Sequence, residues 1–113
     1  MRIVERKLEK YTTESGKCPF EDWFNDFKDK KTQAVVDARL TRLRLGNLGK
    51  YRELGEGVKE LKINFGGGLR VYFAEASGMI VILLCGGDKG SQDRDIKKAK
   101  NYWEDYQGRM KND

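Results

Sequence analysis

The chain has 113 residues, 23 Lys and Arg against 18 Asp and Glu, a formal charge of +5, 38% hydrophobic residues and no histidine. A domain of that length buries roughly 65% of the surface its unfolded chain exposes, enough for one core but not for two domains or a deep cavity, so function belongs on an open face or in a shared groove. The missing histidine excludes Ser-His-Asp and Cys-His nucleophile systems and His-bearing zinc sites.

Residues 2 to 9 alternate weakly through Val4, Arg6 and Leu8. The β propensity of Ile3 and Val4 predicts an edge strand whose charged flanks blunt it. Pro19 suits the first position of a helix, Glu21 and Asp22 fall in its electropositive first turn, and Phe20, Trp23, Phe24 and Phe27 recur at i, i+3, i+4 and i+7. That is a short amphipathic helix. A second helix is expected over 32–45, with Val36, Leu40 and Leu43 as its apolar stripe, Arg39 and Arg44 beside the stripe and Gly46 ending it. Gly46, Gly49, Gly55 and Gly57 mark a loop.

From Val58 the period becomes two: Leu61, Ile63 and Phe65 alternate with Glu60, Lys62 and Asn64. After Gly66-Gly67-Gly68, which predicts a hairpin turn, Leu69, Val71 and Phe73 alternate with Arg70 and Tyr72. Met79 to Cys85 is apolar on both faces, as in a central strand, and Gly86-Gly87 is expected to end it. The last helix is predicted from about Ser91, an N-cap followed by Asp93 and Asp95, with Ile96, Ala99, Trp103 and Tyr106 on one stripe. The order β-α-α-β-β-β-α implies a single α+β domain with the paired helices on one face of a small, mostly antiparallel sheet. Glu60, Lys62, Asn64, Arg70 and Tyr72 then line the other, open face, bordered by the last helix and the 86–91 loop. An ordinary solvent-facing sheet carries such residues too.

Cys18 and Cys85 match no metal-ligand spacing and are expected as free thiols. The seven-residue run Met79 to Cys85 is far short of the ~20 residues that span a bilayer, and the first six residues hold no signal-peptide h-region. A cytoplasmic chain with no membrane partner, metal or cofactor is expected. The charge is uneven. Residues 28–52 hold Lys28, Lys30, Lys31, Arg39, Arg42, Arg44, Lys50 and Arg52 against Asp29 and Asp37, an excess of +6. This is either a solvated helix face with a basic loop or a surface for a polyanion or an acidic partner.

Four runs carry a resemblance: Arg42-Leu43-Arg44-Leu45-Gly46-Asn47; Gly55-Glu56-Gly57-Val58-Lys59-Glu60-Leu61-Lys62-Ile63; Leu69-Arg70-Val71-Tyr72-Phe73; and Leu83-Leu84-Cys85-Gly86-Gly87-Asp88-Lys89-Gly90-Ser91-Gln92, followed by Asp95-Ile96-Lys97-Lys98-Ala99. From about Trp23 to Trp103 the chain resembles small toxins of the RelE/ParE superfamily, and within it the addiction-module killer or HigB-like branch. The resemblance implies the toxin of a type II toxin-antitoxin pair. RelE-type members cut mRNA in the ribosomal A site, whereas ParE-type members share the fold and poison DNA gyrase without being nucleases. A toxin-derived module kept only as a binding partner or co-repressor is a third reading.

For a nuclease, attack of a 2′-hydroxyl on its own phosphate needs a base, cations for the charge developing on the phosphoryl oxygens and an acid for the leaving oxygen. By resemblance Arg70 aligns with the strand arginine used against the phosphate. Lys62 is a phosphate contact or general base, Lys89 the basic residue before the last helix, and Glu60 and Tyr72 complete the catalytic candidates. Asn64 and Gln92 join Arg70, Lys62 and Lys89 as RNA contacts; relatives frequently have His at the Asn64 position and Tyr at that of Leu69, and Tyr72 or Tyr106 is expected to supply a ring instead. Arg39, Arg42, Arg44, Lys50 and Arg52, taken to lie outside the catalytic face, are expected to dock the ribosome or antitoxin. Implied partners are the ribosome, mRNA and a cognate antitoxin, expected as a small helix-turn-helix protein encoded next door, with operator DNA met only through that antitoxin.

Overall fold

The computed structural model describes residues 5–111. In chain order the elements are β1 (Lys7–Lys10), α1 (Pro19–Asn25), α2 (Lys30–Arg44), β2 (Tyr51–Glu53), β3 (Val58–Ile63), β4 (Leu69–Ser77), β5 (Ile80–Asp88), a 3₁₀ turn (Lys89–Ser91) and α3 (Gln92–Lys111). They build an α+β domain around a five-stranded sheet of order β1-β5-β4-β3-β2, antiparallel except for the β1–β5 pair. The expected first strand is shorter than 2–9, and residues 2–4 of that span lie outside the described residues.

The helices start and stop for local reasons. Pro19 opens α1 with Glu21 and Asp22 in its first turn, and Gln33 Nε2 donates to the carbonyls of Phe24 and Phe27 at its end, at 3.1 and 3.2 Å. Helix α2 begins two residues earlier than expected because the Asp29 carboxylate accepts from the Lys31 N–H at 2.9 Å and caps it. Its last carbonyls are met by the N–H groups of Gly46 and Asn47, bonded to Leu43 and Arg42.

Two cores flank the sheet. Phe20, Val36, Leu40 and Leu43 of α1 and α2 pack on Leu61, Ile63, Leu69, Val71 and Phe73, the face that the period of two assigned to them. Each such fully buried side chain contributes about 1.5–3 kcal/mol relative to exposure. Against the opposite face lies α3, whose Ala99 and Trp103 cover Val58, Tyr72, Ala74, Ile82 and Leu84. The sheet face expected to be open is therefore half roofed. Tyr72, expected to point into solvent, is fully buried under α3.

Two further expectations are corrected. The glycine-marked segment after α2 contains β2, which pairs with β3 through Tyr51–Leu61, Arg52–Glu60 and Glu53–Lys59. Three residues are too few to show a period. Gly86-Gly87, expected to end the strand, lies inside β5. A Cβ on Gly86 would stand well inside 3.0 Å of the Trp23 ring of α1, and one on Gly87 closer still to the Asp95 carboxylate of α3. These glycines let helices approach both faces of one strand. By contrast Gly66, Gly67 and Gly68 form the expected β3–β4 turn, all with positive φ.

The far half of α3 is tied to the chain leaving β1. Tyr11 stacks on Tyr102 at 5.0 Å and donates its hydroxyl to Asp105 Oδ2 at 2.6 Å; the Arg109 guanidinium lies over the Tyr11 ring and meets Asp105 at 2.8 Å. Burial, with Asp105 second, pushes the Tyr11 phenol up to about 12 from 10.0. The folded protein thus holds this proton more tightly than the unfolded chain. The associated stability is complete below pH ~10 and lost as pH rises toward 12. Tyr11→Phe is expected to flatten the fall in Tm across that window; identical slopes for both proteins would contradict the contact.

Candidate functional site

Two adjoining depressions open at the β2 end of the α3 face. One, of about 400 Å³, is lined by Lys50, Tyr51, Arg52, Glu60, Lys62, Arg70 and Gln92. The other, of about 480 Å³, is lined by Lys62, Asn64, Phe65, the three turn glycines, Arg70 and Lys89. Lys62 and Arg70 belong to both. The register explains the convergence: Lys62 pairs directly with Arg70, and Arg70 with Gly87, so three neighbouring strands present a lysine, an arginine and no side chain in one row. The next row runs Arg52, Glu60, Tyr72, Cys85.

The floor is an ion cluster. Glu60 and Arg70 are 3% and 5% exposed. Glu60 Oε1 lies 3.3 Å from Arg52 Nη2, and Oε2 accepts from Gln92 Nε2 at 2.9 Å and stands 3.7 Å from Arg70 Nε. Arg70 Nη1 donates to the Gly68 carbonyl at 3.3 Å, while its buried Nε has no hydrogen-bond partner among the described residues. Lys62 is half-buried; Asn64 and Lys89 are exposed at the rim.

The start of α3 is built onto this floor. Asp88 caps the 3₁₀ turn by accepting from the Ser91 N–H at 3.1 Å, and Ser91 Oγ donates to the buried Asp95. Asp88 thus caps the turn, and α3 begins at Gln92, directly after Ser91, where the sequence places its start. Lys89 is carried by the turn, and Gln92 begins the helix.

Six of the expected site residues, Glu60, Lys62, Asn64, Arg70, Lys89 and Gln92, thus come together. Tyr72 does not. Its ring lies in the α3 core, where burial foremost, and then the Glu60 carboxylate, raise its pKa above the ordinary tyrosine value. Such a ring cannot stack on a base. Tyr106 stacks on Trp103 at 5.5 Å and lines neither depression.

The cations of 28–52 divide. Lys50, just before β2, and Arg52 of β2, both expected outside the catalytic face, line it. Arg39, expected on a docking surface, is 6% exposed, with Nη2 donating to the Leu48 carbonyl at 2.5 Å, which holds the loop after α2. Burial, then Arg42, lowers its pKa. Arg44 pairs with Glu5, and Arg42 is exposed. Both cysteines are free; burial, then Asp95, pushes the Cys85 thiol up to about 12. Among the described residues no helix is long and apolar enough to cross a membrane.

The topology is that of a RelE-like α+β domain, and its polar site is a shallow basic depression floored by an arginine-carboxylate cluster. The model of the family described as "phage derived protein Gp49-like" matches residues 22–104, and the chain belongs to that family. An uncharacterised protein of Haemophilus influenzae is 46% identical over 81 residues, which cover 72% of this chain and 82% of the relative.

Proposed function

We propose that this Gp49-like chain is the toxin of a type II toxin-antitoxin pair, a cytoplasmic endoribonuclease that cuts mRNA on the ribosome without metal and is neutralised by a cognate antitoxin. The carrying observation is the side-by-side placement of Lys62 and Arg70 across β3 and β4 in a depression that Lys89 rims. The HigB-like resemblance of the runs around these residues supports the same reading.

In this mechanism Arg70, Lys62 and Lys89 meet the scissile phosphate and offset the charge that grows on its oxygens during attack by the 2′-oxygen. The new bond joins the 2′-oxygen to phosphorus and the bond to the 5′-oxygen breaks. With Tyr72 buried, Lys62 as the free amine takes the proton leaving the 2′-hydroxyl and only then becomes a cation beside the phosphate, while Lys89 as the ammonium gives a proton to the leaving 5′-oxygen. Asn64 and Gln92 contact the flanking nucleotide. A shallow site suits a substrate held by the ribosome, which supplies much of the orientation. Exposed Arg42 remains a docking cation for ribosome or antitoxin.

Induction of the chain in bacteria, followed by mapping of mRNA 5′ ends, tests this. Growth arrest with new ends inside coding frames is expected. Arrest with gyrase-linked DNA breaks and no new ends would overturn it in favour of gyrase poisoning, and no arrest would favour a binding module.

A further inference from the structure

We infer that Glu60 is a positioning residue, which holds the Arg70 guanidinium at the floor of the depression and does not take the proton of the attacking hydroxyl. The inference rests on the nuclease reading above and assigns one group of that site a different task from the one its position in the sequence suggests.

A carboxylate acting as base must bring a free lone pair within about 2.6–3.2 Å of the proton it removes. Glu60 is poorly placed for this. Its side chain is 4% exposed, Oε1 faces Arg52 at 3.3 Å, and Oε2 is shared between Gln92 at 2.9 Å and Arg70 at 3.7 Å. The three neighbours come from three elements, β2, α3 and β4, so the carboxylate is the point at which these elements meet. Arg70 depends on it in turn. Among the described residues its contacts are an ion pair from Nε to the Glu60 carboxylate at 3.7 Å, too long for a hydrogen bond, and a hydrogen bond from Nη1 to the Gly68 carbonyl, so the carboxylate acts on the guanidinium by charge and by proximity at Nε. The planar fork is what matches a phosphate, so its plane matters as much as its charge.

The test combines a readout on the free protein with one on the reaction. In the free protein the Arg70 Nε–H proton, buried and facing Glu60, is expected to give a protected NMR resonance. Glu60→Gln keeps the shape and the Gln92 contact but removes the charge, and should shift or broaden that resonance. Glu60→Asp should restore it in part. With programmed ribosomes, Glu60→Gln is expected to lower the maximal cleavage rate by up to about 10²-fold, the scale of a small misplacement at a reacting centre. The half-saturating ribosome concentration and the form of the pH-rate profile should stay as in the wild type.

A profile that loses one limb in Glu60→Gln while the Arg70 resonance stays put would overturn the inference and make Glu60 the base. An unmoved resonance with an unchanged rate would also overturn it. If Glu60→Gln does not fold, Arg52→Ala frees Oε1 and should displace the same resonance in the same direction; no displacement counts against the clamp. Because the resonance is read without RNA, a wild-type chain that cuts nothing but shows the Glu60-dependent signal would sink the nuclease reading and leave the clamp standing.

Discussion

Replacing Arg70 with alanine is expected to reduce ribosome-dependent mRNA cleavage by about 10²–10³-fold, the loss seen when one preorganised donor is removed from a site of developing negative charge. Arg70 lines both depressions, as Lys62 does, sits beside Lys62 in the sheet and alone of the two carries the planar fork that matches a phosphate. Lysine at this position retains charge but loses the fork, so Arg70→Lys should recover only part of the rate. The fold should survive either change, because Glu60 keeps Arg52 and Gln92 as partners when Arg70 is gone. Circular dichroism and melting curves separate lost chemistry from lost structure. Toxicity undiminished in a folded Arg70→Ala chain would point away from phosphoryl chemistry and toward gyrase.

The second large effect is structural. Gly87→Ala is expected to destabilise the domain by about 1–3 kcal/mol, the usual cost of an added methyl group in a packed interior. For a domain near 100 residues that lowers Tm by about 4–8 °C per kcal/mol. The added Cβ meets the Asp95 carboxylate, which is buried and held by Ser91. Moving Asp95 disturbs the Asp88–Ser91 cap and, with it, Lys89 and Gln92. The variant should therefore lose cleavage even at temperatures where it remains folded. A Gly87→Ala protein with wild-type Tm would show that the β5–α3 approach is looser than the packing implies.

These two positions also show what was legible in the sequence. Strands β3 and β4 announced themselves by alternation, which puts Lys62 and Arg70 on one face; their direct pairing comes from a connection over 64–68, longer than the three glycines, that shifts the register. Helices α1 and α3 were visible in the spacing of Trp23 and Phe27, Ala99 and Trp103. Strand β2 was hidden. It has three exposed residues and is a strand only because β3 offers it an edge, so Lys50 and Arg52 were assigned to a docking loop. Gly86-Gly87 read as a stop because glycine usually interrupts a strand, whereas here tertiary packing of Trp23 and Asp95 requires it. Tyr72 followed the polar alternation of its strand; the fact that α3 covers that face is a long-range event that alternation alone does not encode. The same event buried Glu60 among the arginines. A signal was present in the apolar stripe of α3, which needs a sheet face to cover and had only this one left.

Ribosomes programmed with a defined mRNA, incubated with the purified chain, test the central claim most directly. A second message carrying 2′-deoxy nucleotides in the A-site codon provides the comparison. Attack by the 2′-oxygen predicts one fragment ending in a 2′,3′-cyclic phosphate and another beginning with a 5′-hydroxyl, and no cut beside a 2′-deoxy nucleotide. An intact normal message, or cleavage that continues across the 2′-deoxy linkage to leave a 5′-phosphate, would contradict the account.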